Sequence, residues 1–123
     1  MAHSPGFLKL VDDAKKNVKQ CTVEDVWDRR QKGEPFVLVD VREDVEWAKA
    51  HAEGAIHVGR GVLERDIETR IPDKDTEIVL YCGGGFRSAL AAESLGKMGY
   101  KHVTSMNGGF RGWLEAGMPV TKD

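Results

Sequence analysis

The segment Thr76-Glu77-Ile78-Val79-Leu80-Tyr81-Cys82-Gly83-Gly84-Gly85-Phe86-Arg87-Ser88 constrains the fold more than any other stretch of this chain. Its first part, Thr76 to Tyr81, is β-branched and apolar and reads as a buried strand. After it, Ser88-Ala89-Leu90-Ala91-Ala92-Glu93-Ser94-Leu95 reads as a helix with Ala91, Leu95 and Met98 on one face. The order is strand, cysteine, glycine loop, helix. In an open α/β sheet, ligands bind beyond the carboxyl ends of the strands. Glycines without Cβ let such a loop curl and turn its N–H groups inward. The start of the helix adds orphan N–H groups and the positive end of a dipole. Arg87 adds a full charge. Together these groups favour an anion, and the anion nearest to hand is the thiolate of Cys82. A free thiol is only a few per cent thiolate at neutral pH, so an electropositive setting turns a weak nucleophile into a strong one. Cys82 is therefore expected as the nucleophile, with Gly83, Gly84, Gly85, Phe86, Arg87 and Ser88 forming the anion-binding loop. The competing reading is a buried structural cysteine beside a flexible turn.

The rest of the chain supplies the frame. Ser4-Pro5 caps and starts a helix, on which Phe7, Leu10, Val11, Ala14 and Val18 fall at helical spacing. This N-terminal segment, residues 4–19, is expected to pack on a main body of about residues 23–120. Thr22 is an N-cap for a helix over Val23 to Gln31, with Val26 and Trp27 facing inward and Gly33 closing it. Phe36-Val37-Leu38-Val39 is a continuous apolar run of the kind found in central parallel strands, and it ends in Asp40-Val41-Arg42. At that strand end Arg42 has two readings: a second positive group near Cys82, or an ion pair with Asp40 or Glu43. Val45 to Ala50 reads as a helix, Ala55 to Val58 as a short strand, and Val62 to Glu68 as a mixed-charge helix. Arg60 stands before that helix, either bordering the site or solvated. The helix after Cys82 is expected to end at Gly96 and Gly99. Lys101 to Met106 is the last strand. Gly108-Gly109-Phe110-Arg111 echoes Gly84-Gly85-Phe86-Arg87 without a cysteine and reads as a plain strand-to-helix turn, followed by Trp113 and Leu114 packing on the core. Strands alternating with helices indicate a parallel α/β sheet covered on both faces.

Composition excludes several function classes. A chain of 123 residues is one domain with room for a core. Formal net charge is −2, from 18 basic and 20 acidic residues, so neither nucleic acid nor an anionic membrane is an expected partner. No apolar run has the length of a membrane span, and the N-terminus lacks the apolar stretch of a signal peptide. The two cysteines, Cys21 and Cys82, make no disulfide framework. A reactive thiol needs a reducing compartment, so the expected location is cytoplasmic. Cys21 has no glycine cradle and reads as a small buried hydrophobe; the alternative is a resolving partner for Cys82. His51 and His57 lack the spacing of a metal site, so no metal is expected.

Four ordered segments resemble single-domain rhodaneses, the thiosulfate sulfurtransferases. Cys82-x-x-Gly85-x-Arg87 resembles their active-site loop, and Val37 to Arg42 their Asp-x-Arg strand end. The segment from His51 to Val58 is similar to their Gly-His-Ile-Pro-Gly-Ala stretch, with Ala52-Glu53 where Ile-Pro is common. Asn107 to Trp113 resembles their closing Gly-Gly-x-x-x-Trp. The resemblance runs from about Val23 to Val120. It implies the rhodanese fold, a five-stranded, mainly parallel sheet with helices on both faces. It also implies sulfur transfer. Cys82 would attack the outer sulfur of a small anionic donor such as thiosulfate, carry it as a persulfide, and yield it to cyanide or a thiol. The loop amides and Arg87, with Arg42 in its first reading, would bind the donor. No metal or organic cofactor is implied, and both a monomer and a homodimer fit.

Two other functions compete. Cysteine phosphatases and arsenate reductases combine a cysteine, an anion cradle and an arginine. Phosphatases, however, place one residue more between Cys and Arg than the four here, Gly83 to Phe86. A non-catalytic rhodanese-like binding or sulfur-carrier module is the other alternative, and retention of both Cys82 and Arg87 weighs against it. One departure from the family also matters. Some efficient thiosulfate enzymes carry basic residues directly after the cysteine, where this chain has Gly83 and Gly84.

Overall fold

The computed structural model describes residues 3–123. Its centre is a five-stranded sheet in the order β1-β6-β5-β2-β4, with every neighbouring pair parallel. The strands are β1 (Lys19–Cys21), β2 (Val37–Asp40), β4 (Ile56–His57), β5 (Glu77–Tyr81) and β6 (His102–Met106). The helices α1 (Pro5–Lys15), α2 (Val23–Gln31), α3 (Asp44–Lys49), α4 (Leu63–Arg70), α5 (Arg87–Lys97) and α6 (Gly109–Glu115) connect or flank them. Strand β5 lies in the middle of the sheet, so both its faces are covered. Its side chains alternate between two cores, as the two-residue strand period requires. Ile78, Leu80 and Cys82 join Val39, Leu63, Ile67, Ala92 and Leu95 on the face covered by α4 and α5. Val79 and Tyr81 join Val23, Val26, Leu38, Met106 and Trp113 on the face covered by α2 and α6. Each fully buried aliphatic side chain contributes roughly 1.5–3 kcal/mol of burial, and Leu38, Leu80, Leu63, Ile67 and Ile78 are all in that class.

Local chemistry fixes the element ends. Thr22 accepts a hydrogen bond from the Asp25 N–H at 3.0 Å, and the Asp25 carboxylate accepts from the Thr22 N–H at 2.9 Å. Asp thus completes a reciprocal cap that more often uses Glu or Gln. Helix α2 ends at Gln31 with Lys32 as its C-cap, and Gly33 follows at φ 71°. Helix α1 lies against α5 and buries Val11 and Ala14, while Leu10 of the same apolar set is exposed.

The structure corrects three sequence expectations. Helix α5 passes through Gly96 and stops at Lys97, with Met98 as the C-cap and Gly99 at φ 99°. Glycine inside a helix is tolerated at a modest cost; Gly99 is the one that supplies the left-handed conformation a helix end uses. Leu114 is half exposed, because α6 turns only Gly109 and Trp113 fully inward. A second sheet pairs β3 (His51–Ala52) antiparallel with β7 (Val120–Thr121). Strands of two residues carry no readable periodicity. Among the described residues no helix is long and apolar enough to cross a membrane.

Candidate active site

Strand β5 delivers Cys82 to the carboxyl end of the central strand, and the chain then curls through Gly83-Gly84-Gly85 into α5. Cys82 is 1% exposed, and its sulfur sits inside the turn. The Gly85 N–H donates to Sγ at 3.1 Å and the Ser88 N–H at 3.4 Å. Gly85 holds φ at 96°, a conformation that lets the chain fold back over the sulfur. Ser88 does more than donate its amide. Its Oγ lies 3.6 Å from Sγ and 2.8 Å from the Ser105 Oγ. A thiol donates to that oxygen, whereas a thiolate must accept. The Ser88–Ser105 pair can supply either state by reversing two hydroxyl rotors, with Ser105 donating to Ser88 when Ser88 donates to sulfur. Both serines are fully buried.

A second loop clamps the first. The Phe110 N–H donates to the Cys82 carbonyl at 2.8 Å, and the Arg111 N–H to the Gly83 carbonyl at 3.1 Å. The approach is so close that a Cβ on Gly109 would lie 2.5 Å from the Cys82 oxygen. The echo at Gly108-Gly109-Phe110-Arg111 is therefore a buttress of the cysteine loop, more than the plain turn expected from sequence.

A cavity of about 710 Å³ opens over the sulfur. Cys82, Gly83, Gly84, Phe86 and Arg87 line it from the expected loop; Gly85 and Ser88 lie behind, on the sulfur. His3 and Phe7 of the N-terminal segment and Arg111 and Glu115 of α6 complete the wall. Sequence reading missed these four. Phe7 was legible as an inward residue of α1, but which loop it would meet was not. Its ring lies 6.1 Å from that of Phe86, and His3 lies 4.5 Å from Phe86.

Arg87 sits at the lip, ion-paired to Glu43 at 3.7 Å and Glu46 at 3.5 Å. Arg42 is elsewhere: it does not line the cavity and takes the second of its two readings. Its guanidinium is buried against Asp40, with Nε–Oδ2 at 3.0 Å and Nη2–Oδ2 at 2.8 Å, and Nη2 also donates to the Ala50 carbonyl at 2.7 Å. Burial disfavours its charge, yet the Asp40 hydrogen bonds and attraction hold its pKa above the ordinary arginine value. The guanidinium also stacks 4.1 Å from the Phe110 ring, so it supports the clamp from behind. Arg60 pairs with Glu64 at 2.8 Å and does not line the cavity. His51 and His57 donate to the carbonyls of Trp47 and Arg42 at 2.9 and 2.8 Å. Cys21 lies on the opposite face of the sheet from Cys82.

A parallel α/β sheet with a buried cysteine inside a glycine loop at the end of its central strand defines a class, and comparison with known proteins gives the family. The sequence profile of the Rhodanese-like domain matches residues 22–116; the chain belongs to that family. The thiosulfate sulfurtransferase GlpE of Haemophilus influenzae is 35% identical over 103 residues, covering 83% of this chain and 93% of that protein. The thiosulfate sulfurtransferase PspE of Escherichia coli is 36% identical over 70 residues, or 57% of this chain and 67% of its own. A solved structure from Rhodopseudomonas palustris, described as a protein of unknown function and possible tyrosine phosphatase, superposes with a TM-score of 0.87 at 31% identity. It covers 98% of both chains.

Proposed function

We propose that this protein is a sulfurtransferase that moves a sulfane sulfur from thiosulfate or a similar anionic donor to a nucleophilic acceptor through a Cys82 persulfide. The observation that carries this reading is the sulfur of Cys82, held by the Gly85 and Ser88 amides at the floor of an open cavity. The Cys82 thiolate attacks the outer sulfur of thiosulfate. A new S–S bond forms to Sγ, the bond inside thiosulfate breaks, and sulfite leaves with the electron pair. Arg87 at the lip attracts the sulfonate while the loop holds the reacting sulfur. An acceptor such as cyanide then bonds to the outer sulfur of the persulfide, and the electron pair returns to Sγ. Two half-reactions through a covalent intermediate imply ping-pong kinetics.

The test is intact mass on one preparation. Thiosulfate should add one sulfur to the protein, and cyanide should remove it. An aryl phosphate should give no turnover, because the loop already closes its amides on a sulfur atom and holds one residue fewer than a phosphatase loop. Cys82-dependent phosphate release with no sulfur gain from any donor would replace the reading with a phosphatase.

Arg87→Ala is expected to raise KM for thiosulfate about tenfold, since charge-assisted contacts to an anion are among the stronger hydrogen bonds. Stability should change by less than about 1 kcal/mol, because its partly exposed ion pairs contribute little. Thiosulfate saturation curves and thermal melts in parallel check this. Unchanged kinetics would remove Arg87 from donor binding.

A further inference from the structure

The cavity over Cys82 is far larger than thiosulfate or cyanide needs. At about 710 Å³ it falls in the range that encloses organic ligands with several heavy-atom groups. Its walls are of two kinds. One is aromatic: Phe86 of the loop meets Phe7 at 6.1 Å and His3 at 4.5 Å, and His3 and Phe7 meet at 5.2 Å. The other is helix α6, which presents Arg111. Among the described residues the lip residue Arg87 shares its charge with Glu43 and Glu46, whereas Arg111 takes part in no ion pair. Glu115 lines the cavity one turn further along α6 without pairing with Arg111. The Arg111 backbone is fixed to the reacting loop by its N–H on the Gly83 carbonyl at 3.1 Å. The exposed Arg111 side chain thereby starts from a fixed point beside the reacting loop and carries an unneutralised guanidinium at the cavity wall.

Resting on the sulfurtransferase reading, we propose that the acceptor is an organic thiol bearing a carboxylate. Its carboxylate lies on Arg111 and its carbon skeleton on the Phe7–Phe86 wall. The acceptor thiol loses its proton to solvent. Its thiolate bonds to the outer sulfur of the Cys82 persulfide, the Sγ–S bond breaks, and the electron pair returns to Sγ. The product is an organic persulfide and free Cys82 thiolate, with no net oxidation. Arg111 is a specificity residue here: an arginine fork matches a carboxylate in shape as well as charge. Small inorganic acceptors reach the sulfur without using either wall.

The test separates this proposal from the reading beneath it. The full chain is first loaded with thiosulfate, and sulfur gain is verified by intact mass. Discharge is then followed with 3-mercaptopropionate, with the neutral 3-mercapto-1-propanol, and with cyanide. The expected result is a roughly tenfold preference in kcat/KM for the carboxylate thiol over the neutral one, expressed mainly in KM. Arg111→Gln should bring that ratio close to one, and Arg111→Lys should restore part of it. Phe7→Ala should lower use of both organic thiols several-fold relative to cyanide. Normal loading with no preference between the two thiols, or a preference that survives Arg111→Gln, overturns the proposal and leaves sulfur transfer standing. Absence of loading from thiosulfate or any other sulfane donor overturns both.

Discussion

Cys82→Ser is expected to abolish sulfur transfer, by roughly 10³-fold or more, as removal of a covalent nucleophile does. Neither sulfur gain by mass nor thiocyanate formation from thiosulfate and cyanide should remain. Cys21→Ser should retain most of the activity. The two cysteines differ in their hydrogen-bond donors and in what lies over them. Cys82 accepts hydrogen bonds from the Gly85 and Ser88 amides, beneath an open cavity. Cys21 ends the edge strand β1 and, only partly buried, packs against the core on the other face of the sheet. Burial, and then the nearby Asp25 carboxylate, push its thiol up to about 11. It is therefore protonated at neutral pH and becomes nucleophilic only as the pH rises toward that value. Alkylation rates of the Cys82→Ser protein against pH check this directly. A folded Cys21→Ser variant as inactive as Cys82→Ser would require a two-cysteine mechanism instead.

Gly109→Ala is expected to destabilise the fold by about 3 kcal/mol or more and to remove most of the activity of whatever folds. The added Cβ would lie 2.5 Å from the Cys82 carbonyl oxygen, 2.7 Å from that of Gly83 and 2.8 Å from the Gly83 carbonyl carbon. All three are backbone atoms of the reacting loop and have no rotamer to retreat into. The residue also holds φ at 57°, which a side chain disfavours. The loop and α6 must separate, and the hydrogen bonds from Phe110 and Arg111 stretch with them. A displacement of about 1 Å at a reacting atom already costs about 10²-fold in rate. Gly6→Ala is the control: nothing lies within 4 Å of its Cβ, and its backbone is helical. Urea unfolding and sulfur-transfer assays on the two variants should part widely. A Gly109→Ala protein with wild-type stability and rate would mean that the clamp is slack.

Much of this protein is legible in its sequence. Ile78–Tyr81 read as buried strand because this apolar run has no polar face, and it forms the buried part of the central strand, covered on both sides. The helix Val23–Gln31 was bounded by its own cap chemistry, a short-range matter of Thr22, Asp25 and Gly33. Cys82 and its loop stood out because a nucleophile, glycines and an arginine within one turn act over a few residues. Arg42 could not be placed in this way. Its two readings, a positive group near Cys82 or an ion pair with Asp40 or Glu43, stayed open until the fold buried it against Asp40, where an unpaired charge would be costly.

The sequence by itself determined the alternation of strands and helices and the chemistry of the loop, since both rest on local spacing and side-chain type. Only the tertiary structure decided what surrounds that loop. Phe7, Ser105, Gly109 and Arg111 meet Cys82 or its neighbours across long separations in the chain, through the packing of α1 on α5, of β6 beside β5, and of α6 against the loop. Such meetings depend on strand order and helix docking, and those are set by the total burial of two cores and not by any segment's own pattern.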